Sequence, residues 1–266
     1  MLKTLSPRAV ILALAATVLA LAGVIAYLHL PALNGQNASS RLNVEDRDAI
    51  GAVVRDYILA NPEIIPEAIQ VLQQRQRGMR LASMASELTP GPASLEAGNP
   101  QGDVTLIEFF DFRCPFCKRA YADVEKLIAD DANLRVIFKQ FPILDQGDTT
   151  VSYDLARAGA AAARQGDYLD FHDAVFGWPK RVENIGDIIA IAQAAGLDTD
   201  RLRQDMDDPA IARAIERNIA IGQALGLGGT PAYVVGEQII EGAVGYDRLA
   251  QAVAAARRGN DTASGG

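Results

Sequence analysis

Cys114 and Cys117 are the only cysteines in the chain, and just Pro115 and Phe116 separate them in the run FFDFRCPFCKRAY. A disulfide that serves stability restricts the unfolded chain more when it closes a longer loop, and this pair would close almost nothing. The spacing points to chemistry instead. The pair follows at once on VTLIEFFDF, a short apolar run rich in β-formers that reads as a buried strand, and it opens a helix. Unpaired N–H groups and the helix dipole at such a turn favour negative charge, so the Cys114 thiol is expected to ionise more readily than a free thiol. Pro115 suits the first helical turn, where no backbone hydrogen bond has to be donated. Cys117, on the same turn, is within reach to close a small disulfide or to release a partner bound at Cys114. Attack by Cys114 and release by Cys117 is a complete cycle of thiol:disulfide exchange and calls for no cofactor.

Two cysteines are also half of a tetrahedral zinc shell. The histidines are His29, in an apolar N-terminal run, and His172, in a helical region, so neither completes a zinc site beside the pair and no metal is expected there. A copper ion on the two thiols, or a site shared between subunits, stays open. GLGGT lacks the lysine and spacing of a phosphate loop. Trp178, Tyr168, Phe171 and Phe176 read as core rather than as a ligand box.

The elements that must hold the pair follow from the pattern around it. VTLIEFFDF, the helix marked by Cys117, Tyr121, Val124, Leu127 and Ile128, and the second buried run LRVIFKQFPI make a βαβ unit with parallel strands. Residues from about 149 to 227 read almost wholly as helix, with Asp208 capping Pro209 and stops at Gly196 and Gly226. AYVVGEQIIEG reads as a hairpin turning at GE, YDRLAQAVAAARR as a closing helix, and residues 259–266 as a disordered tail.

Upstream, Lys3 and Arg8 precede an uncharged run from Ala9 to Leu30 of about the length that crosses a bilayer. Residues 1–30 are therefore read as a signal peptide or membrane anchor. The run is longer than the usual signal core, which favours an anchor, and the positive flank keeps its own side cytoplasmic. Everything beyond then lies on the periplasmic side of a bacterial inner membrane, where disulfides form. Residues 31–43 read as a flexible tether, and residues 44–88 as a helical arm whose second helix restarts at Asn61-Pro62. The arm's apolar face must be buried on its own domain or on another copy of the chain. TPGPASLEAGNPQGD breaks regularity between the arm and the rest. With 266 residues, 49% of them hydrophobic, the chain can bury a sizeable core, and a net charge of −8 without a basic stripe argues against nucleic acid as a partner.

IEFFDFRCPFC, the βαβ unit around it, the helical insert and GGTPAYVV resemble the exported DsbA-type thiol:disulfide oxidoreductases of the thioredoxin superfamily, over residues 92–258. VVRDYILANPEIIPEAIQVLQQRQ resembles the helical arm of relatives near the suppressor of copper sensitivity C proteins, some of which oligomerise through that region and isomerise disulfides. The resemblance implies an α/β thioredoxin fold with an inserted helical subdomain. It implies exported protein substrates with thiols or disulfides, and a membrane redox partner that resets the pair. It makes Thr230-Pro231 the substrate-side cis-proline loop opposite the cysteines. Glu108 matches an acidic residue kept beneath the family's active site, where it would relay the Cys117 proton with Lys139, on the neighbouring strand, as its partner. Phe116 stands where strongly oxidising members carry histidine, which implies a weaker oxidant. Thr230 is more like isomerase and reductase relatives. An oligomeric chaperone-like or copper-handling binding protein, with secondary redox activity, is the alternative.

Overall fold

The computed structural model describes residues 44–88 and 95–264, and the chain falls into two compact units, Met1–Ile69 and Gln70–Gly266. The apolar run at 1–30 and the tether at 31–43 lie outside the described residues, among which no helix is long and apolar enough to cross a membrane.

Helix α1 (Val44–Ala60) belongs to the first unit, and Ile50, Val53, Val54 and Tyr57 on it are exposed. Asn61 does not start the next helix. Its side-chain amide donates to the Tyr57 carbonyl at 2.9 Å, closing α1, and α2 (Ile64–Ser83) begins three residues later. The same carbonyl also accepts from the Asn61 backbone N–H at 2.9 Å, so Asn61 closes the last turn of α1 with both its main chain and its side chain.

In the second unit a five-stranded sheet is ordered β1-β3-β2-β4-β5, from β1 (Glu96–Gly98), β2 (Val104–Phe110), β3 (Leu134–Gln140), β4 (Ala232–Val235) and β5 (Gln238–Glu241). β2 and β3 run parallel, joined by α4 (Pro115–Asp130), while β4 returns antiparallel to β2 and turns through Gly236-Glu237 into β5. Both central strands are buried on both faces, which is why they read as nearly unbroken apolar runs. On one face Leu106, Phe110, Val136, Phe138 and Tyr233 join a large core with α4 and the inserted helices. On the other, Ile107, Phe109, Ile137 and Val234 pack with Leu81, Leu88 and Ile221. Truncating a fully buried Leu106 to alanine would cost on the order of 2–5 kcal/mol.

Between β3 and β4 the chain inserts α5 (Val151–Gln165), α6 (Tyr168–Gly177), α7 (Ile185–Ala194), α8 (Thr199–Met206) and α9 (Pro209–Ala224). Local chemistry sets their starts: Asn184 accepts from Asp187 N, Asp198 from Asp200 N and Arg201 N, and Asp208 from Ala210 N just before Pro209. Each such cap is worth about 1 kcal/mol. α5 lies close to the sheet because its facing residues are small. A Cβ on Gly159 would come within 2.4 Å of Gln140 Nε2 and 3.2 Å of the Phe112 ring.

The closing helix α10 (Tyr246–Ser264) corrects the disordered tail expected at 259–266: residues 259–264 are helical, and 265–266 lie outside the described residues. Arg257 bonds both Asp103 and Asp131, and the Asn260 side chain donates to the Asp103 carbonyl at 3.0 Å. These contacts hold the last turns of an otherwise polar segment. The second unit is thus an α/β thioredoxin-like fold with inserted helices, and the chain carries a helical region N-terminal to it.

Candidate active site

β2 ends at Phe110, and Asp111-Phe112-Arg113 carry the chain to Cys114, which caps α4 in extended conformation with Pro115 in the first turn. Asp111 shapes this bend. Its buried carboxylate accepts from Arg113 N at 2.9 Å, Ile143 N at 3.0 Å and Leu144 N at 3.1 Å, tying the loop before the cysteines to the loop after β3. Asp145 accepts from Arg113 Nη1 at 3.2 Å and from Ser152 N and Tyr153 N at 2.9 Å, so one carboxylate links that bend to the start of α5. Neither aspartate stands out by spacing. The signal for Asp111 was the one that marked Glu108, a carboxylate inside an apolar run.

Both cysteines carry free thiols, and only 4% of Cys114 and 1% of Cys117 is exposed. Cys114 Sγ lies 3.2 Å from the carbonyl oxygen of Thr230, whose bond to Pro231 is cis, immediately before β4. The Cys114 thiol is pulled down to about 5. The largest cause is the hydrogen bond from the Cys117 thiol, aided by the Thr230 hydroxyl and the backbone N–H groups of Cys117 and Phe116 and opposed by burial. Cys117 moves the other way, raised first by burial, then by its bond to Cys114 and the nearby Glu108 charge. One sulfur is thus held ionised at neutral pH while the other keeps its proton. Phe116, between them, is half exposed with the Arg119 guanidinium 5.0 Å from its ring centre.

Glu108 lies beneath the pair, paired in register with Tyr233 of β4. Burial raises its carboxyl to about 8, with the Tyr233 hydroxyl partly offsetting this and Glu125 adding to it. The expected partnership with Lys139 does not form. In the parallel register Glu108 stands opposite Phe138 and Lys139 opposite Phe109, so the two side chains leave the sheet on opposite faces. Lys139 Nζ donates instead to the Glu87 carbonyl at the end of α3 (Ala85–Leu88), at 3.0 Å. Burial lowers its pKa.

His172, buried on α6, is packed among Phe110, Phe138 and Phe176 with ring centres 4.8–5.5 Å away. Burial lowers its pKa, so it is a neutral member of the aromatic core behind the cysteine bend.

Residues 105–254 match the DSBA-like thioredoxin domain, and residues 46–77 match the copper resistance protein ScsC N-terminal domain. A thioredoxin-like oxidoreductase from Silicibacter pomeroyi is 40% identical, its structure covering 63% of this chain and 94% of its own with a TM-score of 0.60. A linker-deletion mutant of Proteus mirabilis ScsC is 26% identical and covers 82% of this chain and 98% of its own, with a TM-score of 0.64. Among curated proteins, the Na(+)/H(+) antiporter NhaA of Herminiimonas arsenicoxydans is 31% identical over 62% of this chain and 26% of its own length. The chain spans about a quarter of the length of the curated relatives it matches. With a cysteine pair at the head of α4, and the domain match spanning more than half of its 266 residues, the chain belongs to the DSBA-like thioredoxin domain family.

Proposed function

We propose that the protein catalyses dithiol–disulfide exchange on exported proteins, with Cys114 as nucleophile and Cys117 as resolving thiol. The observation that carries this reading is the asymmetry of the pair. Cys114 Sγ stands at the head of α4, 3.2 Å from the Thr230 carbonyl, with its thiol near 5, while Cys117 is buried and raised. A thiolate attacks, and a protonated neighbour that sheds its proton on demand resolves. Glu108, below Cys117 with its carboxyl near 8, relays that proton: it gives its own proton to water and, once ionised, takes the one from Cys117, and Lys139 has no part in the step. Thr230 and Pro231 form the substrate-side loop, where an extended substrate segment pairs with backbone next to the sulfur.

A thiol near 5 lies between about 7 in thioredoxin and about 3.5 in DsbA, which bounds the potential between roughly −270 and −120 mV. Phe116 in place of histidine and Thr230 before the proline support isomerisation over forceful oxidation. Residues 92–258 form the catalytic domain, 44–88 an arm that joins subunits, and 1–30 the address to the periplasmic side of the inner membrane, where a membrane partner resets the pair. The test is the redox equilibrium of the full chain in glutathione buffers, read by thiol-trapping mass shift. A reversible disulfide within that range is expected, and none at any ratio would sink the reading.

The match of residues 46–77 to a domain named for copper resistance favours a second reading, copper held on the two thiols. It requires stoichiometric Cu(I) binding that is abolished when Cys114 and Cys117 are oxidised.

A further inference from the structure

The net charge of the chain is −8, yet every charged residue lining the cavity of about 820 Å³ beside Cys114 is a cation: Arg113, Lys118, Lys180 and Arg181. The cavity's floor is apolar, with Phe112, Val175 and Val182 buried there. Arg113 is neutralised by Asp145 at 3.2 Å. The other three have no such counter-charge. Lys118 Nζ donates to the carbonyl oxygen of Trp178, a neutral acceptor, at 2.5 Å. Lys180 and Arg181 are exposed, and neither pairs with a carboxylate among the described residues. Glu183, two residues on, does not line the cavity. Arg119, over the Phe116 ring, adds to the same field.

We propose that this cavity receives the stretch of substrate chain flanking the attacked cysteine, and that it selects segments carrying an apolar residue together with Asp or Glu. The proposal rests on the exchange reading and names its substrate class. Apolar walls exclude water and focus the field of the unpaired cations, which raises the encounter rate of acidic segments and turns basic ones away. Burial of the apolar residue in the floor then holds the substrate disulfide over Cys114.

The test uses the reduced full chain and three symmetric peptide disulfides that differ only at two positions beside the cysteine, both Glu, both Gln or both Lys. The Cys114 thiolate attacks one peptide sulfur, and the first peptide leaves as a thiolate and takes a proton. Cys117 gives up its proton and attacks the Cys114 sulfur, closing the enzyme disulfide and releasing the second peptide. Two electrons have then passed to the peptides. Two exposed charge pairs, each worth a few-fold, predict the Glu peptide about tenfold faster than the Lys peptide at about 0.02 M salt, and less than about twofold faster at about 0.5 M. The double variant Lys180→Glu/Arg181→Glu reverses the order. The order is read as the ratio of Glu to Lys peptide rates, in which any change in the Cys114 thiolate common to all substrates cancels, and turnover of uncharged hydroxyethyl disulfide shows that the variant still folds and exchanges. Equal rates for the Glu and Lys peptides at low salt, or an unreversed order in the variant, would overturn the subsite. No reaction even with hydroxyethyl disulfide would overturn the exchange reading beneath it.

Discussion

Glu108→Gln should make the protein more stable, and increasingly so as pH rises. Moving a carboxyl from its ordinary 4.5 to about 8 corresponds to about 5 kcal/mol of disfavoured ionisation, and Glu108 is buried under Cys117 with only the Tyr233 hydroxyl in support. Below pH 4.5 the group is neutral folded and unfolded, and costs nothing. Between 4.5 and 8 the unfolded chain releases this proton while the folded chain keeps it, so stability falls by up to about 1.4 kcal/mol per pH unit. Above 8 the penalty is complete. The glutamine amide has its own burial cost, which is the same at every pH. The variant should therefore gain on wild type by about 3 to 4 kcal/mol between pH 5 and pH 8. Trp178 is the chain's single tryptophan and lies in the unit that carries the cysteines, so urea unfolding of the reduced full chain followed by its fluorescence reads this unit alone. Parallel pH profiles for variant and wild type would show Glu108 ionised at neutral pH and refute the account of a stored proton.

Thiolate absorbance of the reduced chain should rise with a midpoint near pH 5 for Cys114, with no second rise through pH 9, and Cys117→Ala should move that midpoint upward by removing the leading hydrogen bond. Because the folded value lies below the unfolded one near 9, the stability this thiol lends the reduced fold is complete above about pH 9 and is lost as pH falls through 5. Asp111→Ala strands three backbone N–H donors and should cost about 3 kcal/mol in urea unfolding, with slower thiol exchange as the bend loosens. Lys139→Met should leave the pH profile of exchange unchanged, yet speed amide deuterium uptake over residues 84–88 by about tenfold through loss of the bond to Glu87.

The site was legible where its determinants are local. Cys114 and Pro115 at a strand-to-helix junction, Asp208 before Pro209 and the Gly236-Glu237 turn each act within a few residues, and each stands where the pattern put it. The Glu108–Lys139 pairing failed for a reason outside either strand. Alternation along LRVIFKQ is hidden because both faces are buried, so which residues share a face with Glu108 depends on the register with β2. β1 escaped notice because three residues show no period. It forms because Phe138 N donates to the Leu95 carbonyl at 2.7 Å and Arg135 pairs with Glu96 at 2.5 Å. Asn61 was misplaced because an amide can accept at the start of one helix or donate at the end of another, and the residue type alone does not choose.

The packing of α5 and α6 bears on how such a domain can be taken apart. Phe171, His172 and Phe176 lie against Phe110 and Phe112, on the strand end and bend that deliver Cys114, and Gly159 lets α5 come down on Gln140 and Phe112. The helical insertion is therefore half of the wall behind the reactive sulfur rather than a cassette mounted on a self-sufficient redox module. Cutting from Val151 to Ala224 and splicing the ends would leave Phe110, Phe112 and Phe138 facing water. Recombination between relatives can succeed only if strand ends and insertion travel as one block.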